Sequence, residues 1–231
     1  MAPWVLRMRW LDLLFAHWPL EPAAVNELLP AGLEADLFDG HAWLGIVPFT
    51  MAHVAPRGIP AVPRFSTFPE INVRTYVRHR GASGVYFLSL DAASRPTVEG
   101  ARRVFHLPYF HAAISSRRGA GQVEYRSRRL DGRGPAAAFE ARYRPTGPVR
   151  AAEPGSLEAW LTDRMRLFAA DGRGRITTTR IDHAPWPLQP AEAEIRLDSM
   201  AASHGIALPG TAPHLRFARR LDVHAWLPDR G

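Results

Sequence analysis

Four side chains with different proton and charge chemistry alternate along one short segment, residues 68–77. Glu70, Asn72, Arg74 and Tyr76 occupy every second position, and the alternate positions carry Ile, Val, Thr and Val. A carboxyl group can transfer a proton, an amide and a phenol can form hydrogen bonds, and a guanidinium can hold an anion. Because side chains alternate across a strand, this pattern predicts a strand with one apolar and one polar face.

The polar face has two interpretations, a solvated outer surface or the wall of a cavity. The Cα atoms of Glu70 and Arg74 lie ~13 Å apart at ~3.3 Å per residue, which is too far for an ion pair along the strand. Each charge therefore needs water, a ligand or another strand as its partner. A dry core is the least favourable environment for these side chains, because burying an unpaired charge costs several kcal/mol. We expect a wet or ligand-filled pocket in which Arg74 holds an anion or carbonyl group and Glu70 is a general base or hydrogen-bond acceptor.

Other polar residues could contribute to the same pocket. Tyr109 carries a phenol that could donate a hydrogen bond to a substrate oxygen. His17 and His183 stand beside Trp and Pro residues, a setting typical of packed core histidines as well as of a binding site. Arg164 and Arg166 lie on a predicted helix, where a solvated face is the default and one of the two could reach inward as a counter-ion to Glu70. The predicted catalytic residues are Glu70 and Tyr109, and the predicted substrate-binding residues are Asn72, Arg74, His17, Arg164 and His183.

Composition excludes several kinds of chemistry. The chain has no cysteine, and all 29 of its basic residues are arginine, so it has no lysine. Disulfides, thiolate metal sites and a cysteine nucleophile are therefore impossible. His106 and His111 are poorly spaced for chelation, and neither a serine-hydrolase elbow nor a phosphate-binding glycine run is present. We predict no metal and no cofactor.

Charge and hydropathy bear on partners and location. The net charge is +7, but arginine pairs such as those at 102–103 and 219–220 are scattered, so nucleic-acid binding is only a third alternative. The longest nearly apolar run, 42–55, is shorter than the ~20 residues of a membrane helix, and no export signal is recognisable. We expect a cytoplasmic protein that binds a small molecule and neither nucleic acid nor membrane. The oligomeric state stays open, with a homodimer as one alternative.

Elements that could position these residues are predicted from periodicity and turn signals. Asp39-Gly40 predicts a tight hairpin between strands 33–38 and 41–49, because both central residues need positive φ. The Pro- and Gly-rich segment 55–63 is expected to form a loop that acts as a lid or rim. Further strands are predicted over 10–15 (broken at 17–19), 68–77, 85–91, 113–143 (three strands), 176–181 and 214–227, and helices over 22–29, 96–104 and 157–168, whereas 191–200 fits either. A length of 231 residues suits one large β-rich domain.

Short motifs spread over most of the chain also resemble those of a known family. They include His17-Trp18-Pro19, Phe38-Asp39-Gly40, Val47-Pro48-Phe49, the strand 70–77, Gly84-Val85-Tyr86-Phe87 and Leu107-Pro108-Tyr109. This set is similar to the YqjF-like family (domain of unknown function 2071), placed in the acetoacetate decarboxylase-like superfamily. The resemblance implies a mainly β (α+β) fold, an antiparallel cone-shaped β-barrel with a few flanking helices and an interior pocket, formed by residues 1–231 as a single domain.

The resemblance also implies where the chemistry differs. Acetoacetate decarboxylase attacks its ketone substrate with a lysine in a Phe-Pro-Lys-Lys run, and the matching segment here is 107–110, with Tyr109 at the nucleophile's place. Schiff-base decarboxylation is excluded because the chain has no lysine and arginine is not a usable amine nucleophile. Glu70 matches a barrel glutamate of those enzymes, and the place of their substrate-facing arginine corresponds to His17. We expect a barrel that binds a small oxygenated or carboxylated molecule, as a lysine-independent lyase or isomerase, or alternatively as a non-catalytic ligand- or partner-binding barrel.

Overall fold

Long strands with alternating side chains dominate the chain, as the sequence pattern predicts. The structure is a computed structural model that describes residues 2–62 and 66–229. The strands in this part of the chain are β1 (Leu6–Leu20), β2 (Glu34–Ala35), β3 (Ala42–Pro56), β4 (Phe68–His79), β5 (Ala82–Ala92), β6 (Tyr109–Gly119), β7 (Gln122–Arg129), β8 (Ala138–Pro145), β9 (Arg166–Ala170), β10 (Ile176–His183), β11 (Leu188–Asp198) and β12 (His214–Ala225). The helices are α1 (Pro22–Asn26), α2 (Arg95–Phe105) and α3 (Leu157–Thr162), with a 3-10 turn at Ala202–His204.

Strand pairing closes the sheet into two rings that share a wall. The common wall has the order β5-β4-β3-β1-β12. On one side β9 and β10 connect β5 to β12 and close a seven-strand ring, and on the other side β6, β7, β8 and β11 close a nine-strand barrel. The sheet is mainly antiparallel, but β5 runs parallel to both β6 and β9. The expected mainly β, acetoacetate decarboxylase-like barrel is confirmed.

The shared wall places alternate residues of each strand in different cores. On β4, Ile71 and Val73 pack in the apolar cluster of the nine-strand barrel, together with Tyr125 and Phe139 from the far sheet. The other face of β4 points into the seven-strand ring, whose apolar cluster includes residues of β1, β3, β5, α2 and α3. The predicted alternation of β4 is therefore present, and its polar face points inward rather than to bulk solvent.

Several local predictions are confirmed. Asp39 and Gly40 have φ angles of 49° and 79°, as the tight turn requires. The hairpin of β4 and β5, the three strands β6 to β8 and the closing strand β12 are all formed. α2 begins after Ser94, whose hydroxyl accepts a hydrogen bond from the Thr97 amide, and it ends with two arginines in its last turn.

The predicted helix over 157–168 is wrong beyond its first half. α3 ends at Thr162, and Asp163 has φ −82° and ψ 60°, which lies outside the helical region. Residues 166–170 form β9 instead, because pairing with both β5 and β10 satisfies their backbone groups. The helix-like spacing of apolar residues in this segment comes from two different elements that bury the same interior.

The break predicted at 17–19 is also wrong. β1 continues through these residues to Leu20, with His17 paired to Gly45 on β3, and it absorbs an irregularity between Leu11 and Ala16. Pro19 is tolerated near the strand end, where fewer ladder hydrogen bonds are required.

Three smaller predictions need correction. α1 stops at Asn26 rather than residue 29, and β2 is only two residues long and pairs with β4, so the hairpin across Asp39-Gly40 is reduced to a bridge. The predicted loop over 55–63 starts late, because β3 runs through Pro56, and Pro63 lies outside the described residues. The undecided segment 191–200 is largely strand β11. None of the described helices is both long and apolar enough to cross a membrane.

Candidate functional site

A cavity of about 120 Å³ lies inside the seven-strand ring. Its walls are mainly apolar side chains of β1, β3, β5 and β10, with α2 and α3 also contributing. An apolar cavity of about 150 Å³ holds a benzene ring, so this one has room for a small organic molecule. The polar groups on its wall are few: they come chiefly from β4, from the start of β6 and from the residues that follow α3.

Glu70 and Tyr109, the two residues predicted as catalytic, are in direct contact. The Tyr109 hydroxyl donates a hydrogen bond of 2.9 Å to Oε2 of Glu70, and Glu70 is only 1% exposed. Burial raises the pKa of Glu70 to about 8, although the Tyr109 hydrogen bond opposes the rise, and Asp91 adds a smaller increase. Burial and the neighbouring Glu70 raise the pKa of Tyr109 well above its ordinary value. The phenol is therefore neutral, and the carboxyl group can exist in either protonation state near neutral pH.

Arg74 presents an unpaired positive charge to the cavity. It is 8% exposed, and its Nε has no hydrogen-bond partner. No carboxylate of the described residues forms an ion pair with it; its guanidinium instead lies 5.2 Å from the ring centre of Phe15 and 5.7 Å from that of Tyr76. A buried guanidinium without a carboxylate is costly, and cation–π contacts offset only part of that cost. The Arg74 side chain therefore has a buried N–H and a charge that an anion or a strong acceptor in the cavity could satisfy.

Asn72 and Trp10 add hydrogen-bonding groups to the same wall. Asn72 lies between Glu70 and Arg74 on β4, and its Oδ1 is buried without a partner. Nε1 of Trp10 on β1 is likewise a buried donor without a partner. Buried polar groups are normally satisfied by protein, water or ligand, so these atoms mark places where an occupant of the cavity can hydrogen-bond.

His17 lies behind this wall and supports it. Its Nε2 is 2.7 Å from the Tyr76 hydroxyl, and the imidazole is completely buried. Burial, followed by the nearby charges of Arg74 and His214, holds the pKa of His17 well below its ordinary value, so the ring is neutral. A Cβ at Gly45 would come within 2.8 Å of His17 Nε2, which explains why only glycine fits on β3 at this point. His17 is not among the described residues that line the cavity. It acts on the site through Tyr76, whose hydroxyl it contacts and whose ring lies near the Arg74 guanidinium.

Arg164 lines the cavity but does not pair with Glu70. Its Nη1 donates a hydrogen bond of 2.6 Å to Asp36, and its Nε donates one of 2.6 Å to the Trp160 carbonyl. Arg164 thus fits neither expectation: it follows the end of α3 and is only 6% exposed, so it is not on a solvated helix face, and its carboxylate partner is Asp36 and not Glu70. Asp36 is almost completely buried and also accepts a hydrogen bond from Arg78, so two arginines share one carboxylate. One guanidinium nitrogen of Arg164, Nη2, stays buried without a partner.

His183 lies at the end of β10, on the cavity wall. Its Nδ1 donates a hydrogen bond of 2.8 Å to the Ala184 carbonyl, and its ring packs edge-on against Trp186. Burial lowers the pKa of His183, so the imidazole is neutral and its Nε2 is available as an acceptor. Neutral histidine therefore adds no second positive charge beside Arg74.

The structure thus brings six of the seven predicted site residues to one cavity and places the seventh, His17, one layer behind. The sequence analysis missed other lining residues: Trp10, Thr162, Thr179 and Trp186. Alternation along the predicted strands could have indicated Trp10 and Thr179. Asp36 gave no signal, because its partner Arg164 is 128 residues away in sequence. Among residues 2–62 and 66–229, no three His, Asp or Glu side chains are placed to hold a metal ion.

Solved structures with the same architecture come from the acetoacetate decarboxylase-like group. The enduracididine biosynthesis enzyme MppR, complexed with the condensation product of pyruvate and imidazole 4-carboxaldehyde, aligns with a TM-score of 0.68 at 12% identity, over 99% of this chain and 90% of that one. Acetoacetate decarboxylase from Legionella pneumophila aligns with a TM-score of 0.67 at 12% identity, over 96% and 86%. An acetoacetate decarboxylase-like enzyme from Sphingomonas wittichii RW1 aligns with a TM-score of 0.66 at 16% identity, over 100% and 94%. At these identities the likeness shows a shared fold.

Sequence comparison identifies the family. The uncharacterized protein YqjF of Bacillus subtilis (strain 168) is 43% identical over 223 residues, which cover 96% of this chain and 91% of that protein. The family model DUF2071, described as an uncharacterized conserved protein, matches residues 7–222. The barrel is of the acetoacetate decarboxylase type, but the chain has no lysine that could serve as its nucleophile. By the family-model match and the identity to YqjF, the chain belongs to the DUF2071, or YqjF-like, family.

Proposed function

We propose that the protein binds a small organic acid in the seven-strand ring and catalyses proton transfer to and from a carbon of that acid, without forming a Schiff base. The observation that carries this proposal is Arg74, a buried guanidinium on the cavity wall with an unpaired Nε and no carboxylate partner among the described residues. A carboxylate ligand would supply the missing charge and accept hydrogen bonds from the guanidinium. The solved MppR complex with pyruvate shows that a barrel of this fold can hold a small oxo acid.

Glu70 and Tyr109 would then perform the chemistry. Because the pKa of Glu70 is about 8, roughly a tenth of the molecules carry the carboxylate at pH 7. In that form Glu70 takes a proton from the carbon beside the ligand's carbonyl group, and the C–H electron pair forms the enolate. If the proton on Glu70 is replaced by one from solvent before the transfer back to the same carbon, the C–H is exchanged. In a ligand whose carbonyl is conjugated with a C=C bond, transfer to the far carbon of the dienolate gives isomerisation. A carboxyl group poised near the working pH is suited to both steps.

Tyr109 and Asn72 would stabilise the charge that develops on the ligand oxygen. Once Glu70 has taken up the proton, the Tyr109 O–H no longer needs to donate to it and can donate to the ligand oxygen, as can the amide N–H of Asn72. In an enclosed site the contribution of such donors is larger than in water. His17 and Tyr76 would act as positioning residues that fix the Arg74 side chain, and His183 and Arg164 would add an acceptor and a donor to the wall. A lyase, an isomerase and a hydratase all use this proton transfer.

A panel of oxo acids with three to seven carbons tests the proposal. Isothermal titration would measure binding, and proton NMR in D₂O would follow exchange of the C–H beside the ketone. Arg74→Met should weaken binding at least tenfold. Arg126→Met should leave binding unchanged, because Arg126 is an exposed arginine that pairs with Glu140 on β8. Equal binding by the two variants would refute the role of Arg74.

Glu70→Gln separates an enzyme from a carrier. The enzyme hypothesis requires that this variant still binds the acid but exchanges its C–H at least a hundredfold more slowly than wild type. Binding without exchange in the wild-type protein would favour the second candidate, a non-catalytic ligand-binding barrel. That alternative has one observation in its favour, since Glu70 already has a hydrogen-bond partner in Tyr109. The cytoplasmic location and the choice between monomer and homodimer stay predictions.

A further inference from the structure

The two polar ends of the cavity are separated along a single strand. Glu70 and Arg74 both project from the inner face of β4 into the same cavity, and four residues of strand place their Cα atoms ~13 Å apart. Glu70 pairs across the sheet with Phe49, whereas Arg74 pairs with Gly45. A ligand of three or four heavy atoms cannot contact both side chains at once.

The Arg74 side chain extends sideways rather than back towards Glu70. Its Cγ lies 3.3 Å from the place that a Cβ on Gly45 would occupy, so its stem crosses β3 through the gap that glycine leaves. Its guanidinium then lies between the rings of Phe15 and Tyr76. The Arg164 guanidinium is 5.2 Å from the same Tyr76 ring. Two buried N–H donors without partners, Nε of Arg74 and Nη2 of Arg164, therefore belong to the same end of the cavity.

The opposite end has the contrary charge preference. There Glu70 accepts the hydrogen bond from Tyr109, and a second carboxylate beside it would repel the ionised form. The wall between the two ends consists of Asn72 and the apolar side chains of its cross-strand partners, Val47 on β3 and Leu90 on β5. The cavity thus offers an anion site, an apolar middle and a proton-transfer site in that order.

We infer, on the basis of the proposed function, that the ligand is an elongated oxo acid with its carboxylate at Arg74 and Arg164 and its carbonyl group at Glu70 and Tyr109. The Arg74 guanidinium leans away from Glu70 towards Phe15 and Tyr76, so the two charged groups are about as far apart as their Cα atoms, ~13 Å. Allowing about 3 Å for a hydrogen bond at each end leaves about 7 Å between the two groups of the ligand. That distance corresponds to about five carbon–carbon bonds at ~1.5 Å each. The substrate class is therefore an acid whose ketone lies several carbons from the carboxylate, of which 6-oxoheptanoate is a representative.

Four simple oxo acids test this inference on the wild-type protein: pyruvate, 4-oxopentanoate, 6-oxoheptanoate and 2-oxoheptanoate. The last has the length of 6-oxoheptanoate but carries its ketone beside the carboxylate. Isothermal titration should give at least tenfold tighter binding for 6-oxoheptanoate than for either 2-oxo acid. Glu70-dependent C–H exchange should be fastest with 6-oxoheptanoate.

The outcomes distinguish the inference from the proposed function. If pyruvate or 2-oxoheptanoate binds as tightly as 6-oxoheptanoate and Arg74→Met abolishes that binding, the elongated ligand is refuted and the acid-binding function stands. If no acid in the series binds in an Arg74-dependent way, both are refuted. The ranking is measured on the wild-type protein, so it decides the inference even if the Arg74→Met variant does not fold.

Discussion

Replacing Arg74 by methionine should stabilise the ligand-free protein, which is the opposite of what loss of a buried charge usually does. Arg74 is only 8% exposed, and the described residues offer its guanidinium no ion pair. A buried donor without a partner costs about 1–3 kcal/mol, and the desolvated charge adds to that. Contacts with the Phe15 and Tyr76 rings return about 0.5–2 kcal/mol. Methionine fills a similar space without charge, so we expect a net gain of about 1–3 kcal/mol.

Urea unfolding measures this gain. At an m-value of about 2 kcal/mol per M, the midpoint of Arg74→Met should rise by about 0.5–1.5 M. Arg129 is the matched control, because it is equally buried but makes two hydrogen bonds, of 2.9 and 2.7 Å, to the buried carboxylate of Asp91. Arg129→Met should lose about 3–5 kcal/mol, since it leaves that carboxylate unpaired.

The stabilities of Arg74→Met and Arg129→Met show whether Arg74 has a structural partner in the folded protein. If Arg74→Met loses as much stability as Arg129→Met, Arg74 has a structural partner in the folded protein and is not waiting for a ligand. If Arg74→Met gains stability and also loses acid binding, the wild-type residue is kept at a cost in stability for its function. A saturating acid should then stabilise only the wild-type protein, by about 2.7 kcal/mol at a hundred times its Kd.

Three further variants test other parts of the site. The raised pKa of Glu70 implies a contribution to stability that is fully present below pH 4.5 and is lost as the pH rises to about 8. In that window the free energy of unfolding, measured with urea, should depend on pH differently in the wild type and in Glu70→Gln, and the two slopes should differ by up to about 1.4 kcal/mol per pH unit. Asp36→Asn should cost about 3–5 kcal/mol in urea unfolding, because it leaves the buried Arg164 without its carboxylate. Gly45→Ala should lower the Tm by several degrees, at about 1–3 kcal/mol, because its methyl group would lie 2.8 Å from Nε2 of His17.

Asp36→Asn and Gly45→Ala each have a control within the same chain. Asp222→Asn removes the carboxylate of an exposed ion pair with Arg9 and should change stability by less than about 1 kcal/mol. Gly100→Ala lies on α2 with open space around its Cβ and should be neutral or stabilising by up to about 1 kcal/mol. Equal losses in Asp36→Asn and Asp222→Asn would contradict the burial argument, and a pH slope unchanged in Glu70→Gln would contradict the raised pKa.

Much of the fold was predictable, because it depends on local patterns. The alternation over 68–77 gave β4 and placed Glu70 and Arg74 on one face of it, but left open whether that face meets solvent or a cavity, and Asp39-Gly40 gave the turn. The segment 157–168 failed because apolar residues at helical spacing also occur when a short helix and a short strand cover one interior. Periodicity measures burial, and it does not show where one element ends and the next begins.

The candidate site was predictable where it lies on one strand and not where it depends on distant contacts. Sequence reasoning could select Arg74, but its lack of a carboxylate partner is visible only when the neighbouring strands are in place. The pairing of Arg164 with Asp36 joins segments 128 residues apart, so no local pattern indicates it. The contact between Tyr109 and Glu70 also joins distant segments, and only the family resemblance brought the two residues together.

The two-faced character of β4 has a consequence for how the chain assembles. A slip of one residue in the pairing of this strand would turn Glu70 and Arg74 into the hydrocarbon interior of the larger barrel and expose Ile71 to the cavity. Each misplaced charge would cost about several kcal/mol, so the incorrect alignment is strongly disfavoured. The residues proposed to recognise an acid thus also help to fix the register of β4 during folding, since only one alignment of the strand places them beside the polar groups of the cavity.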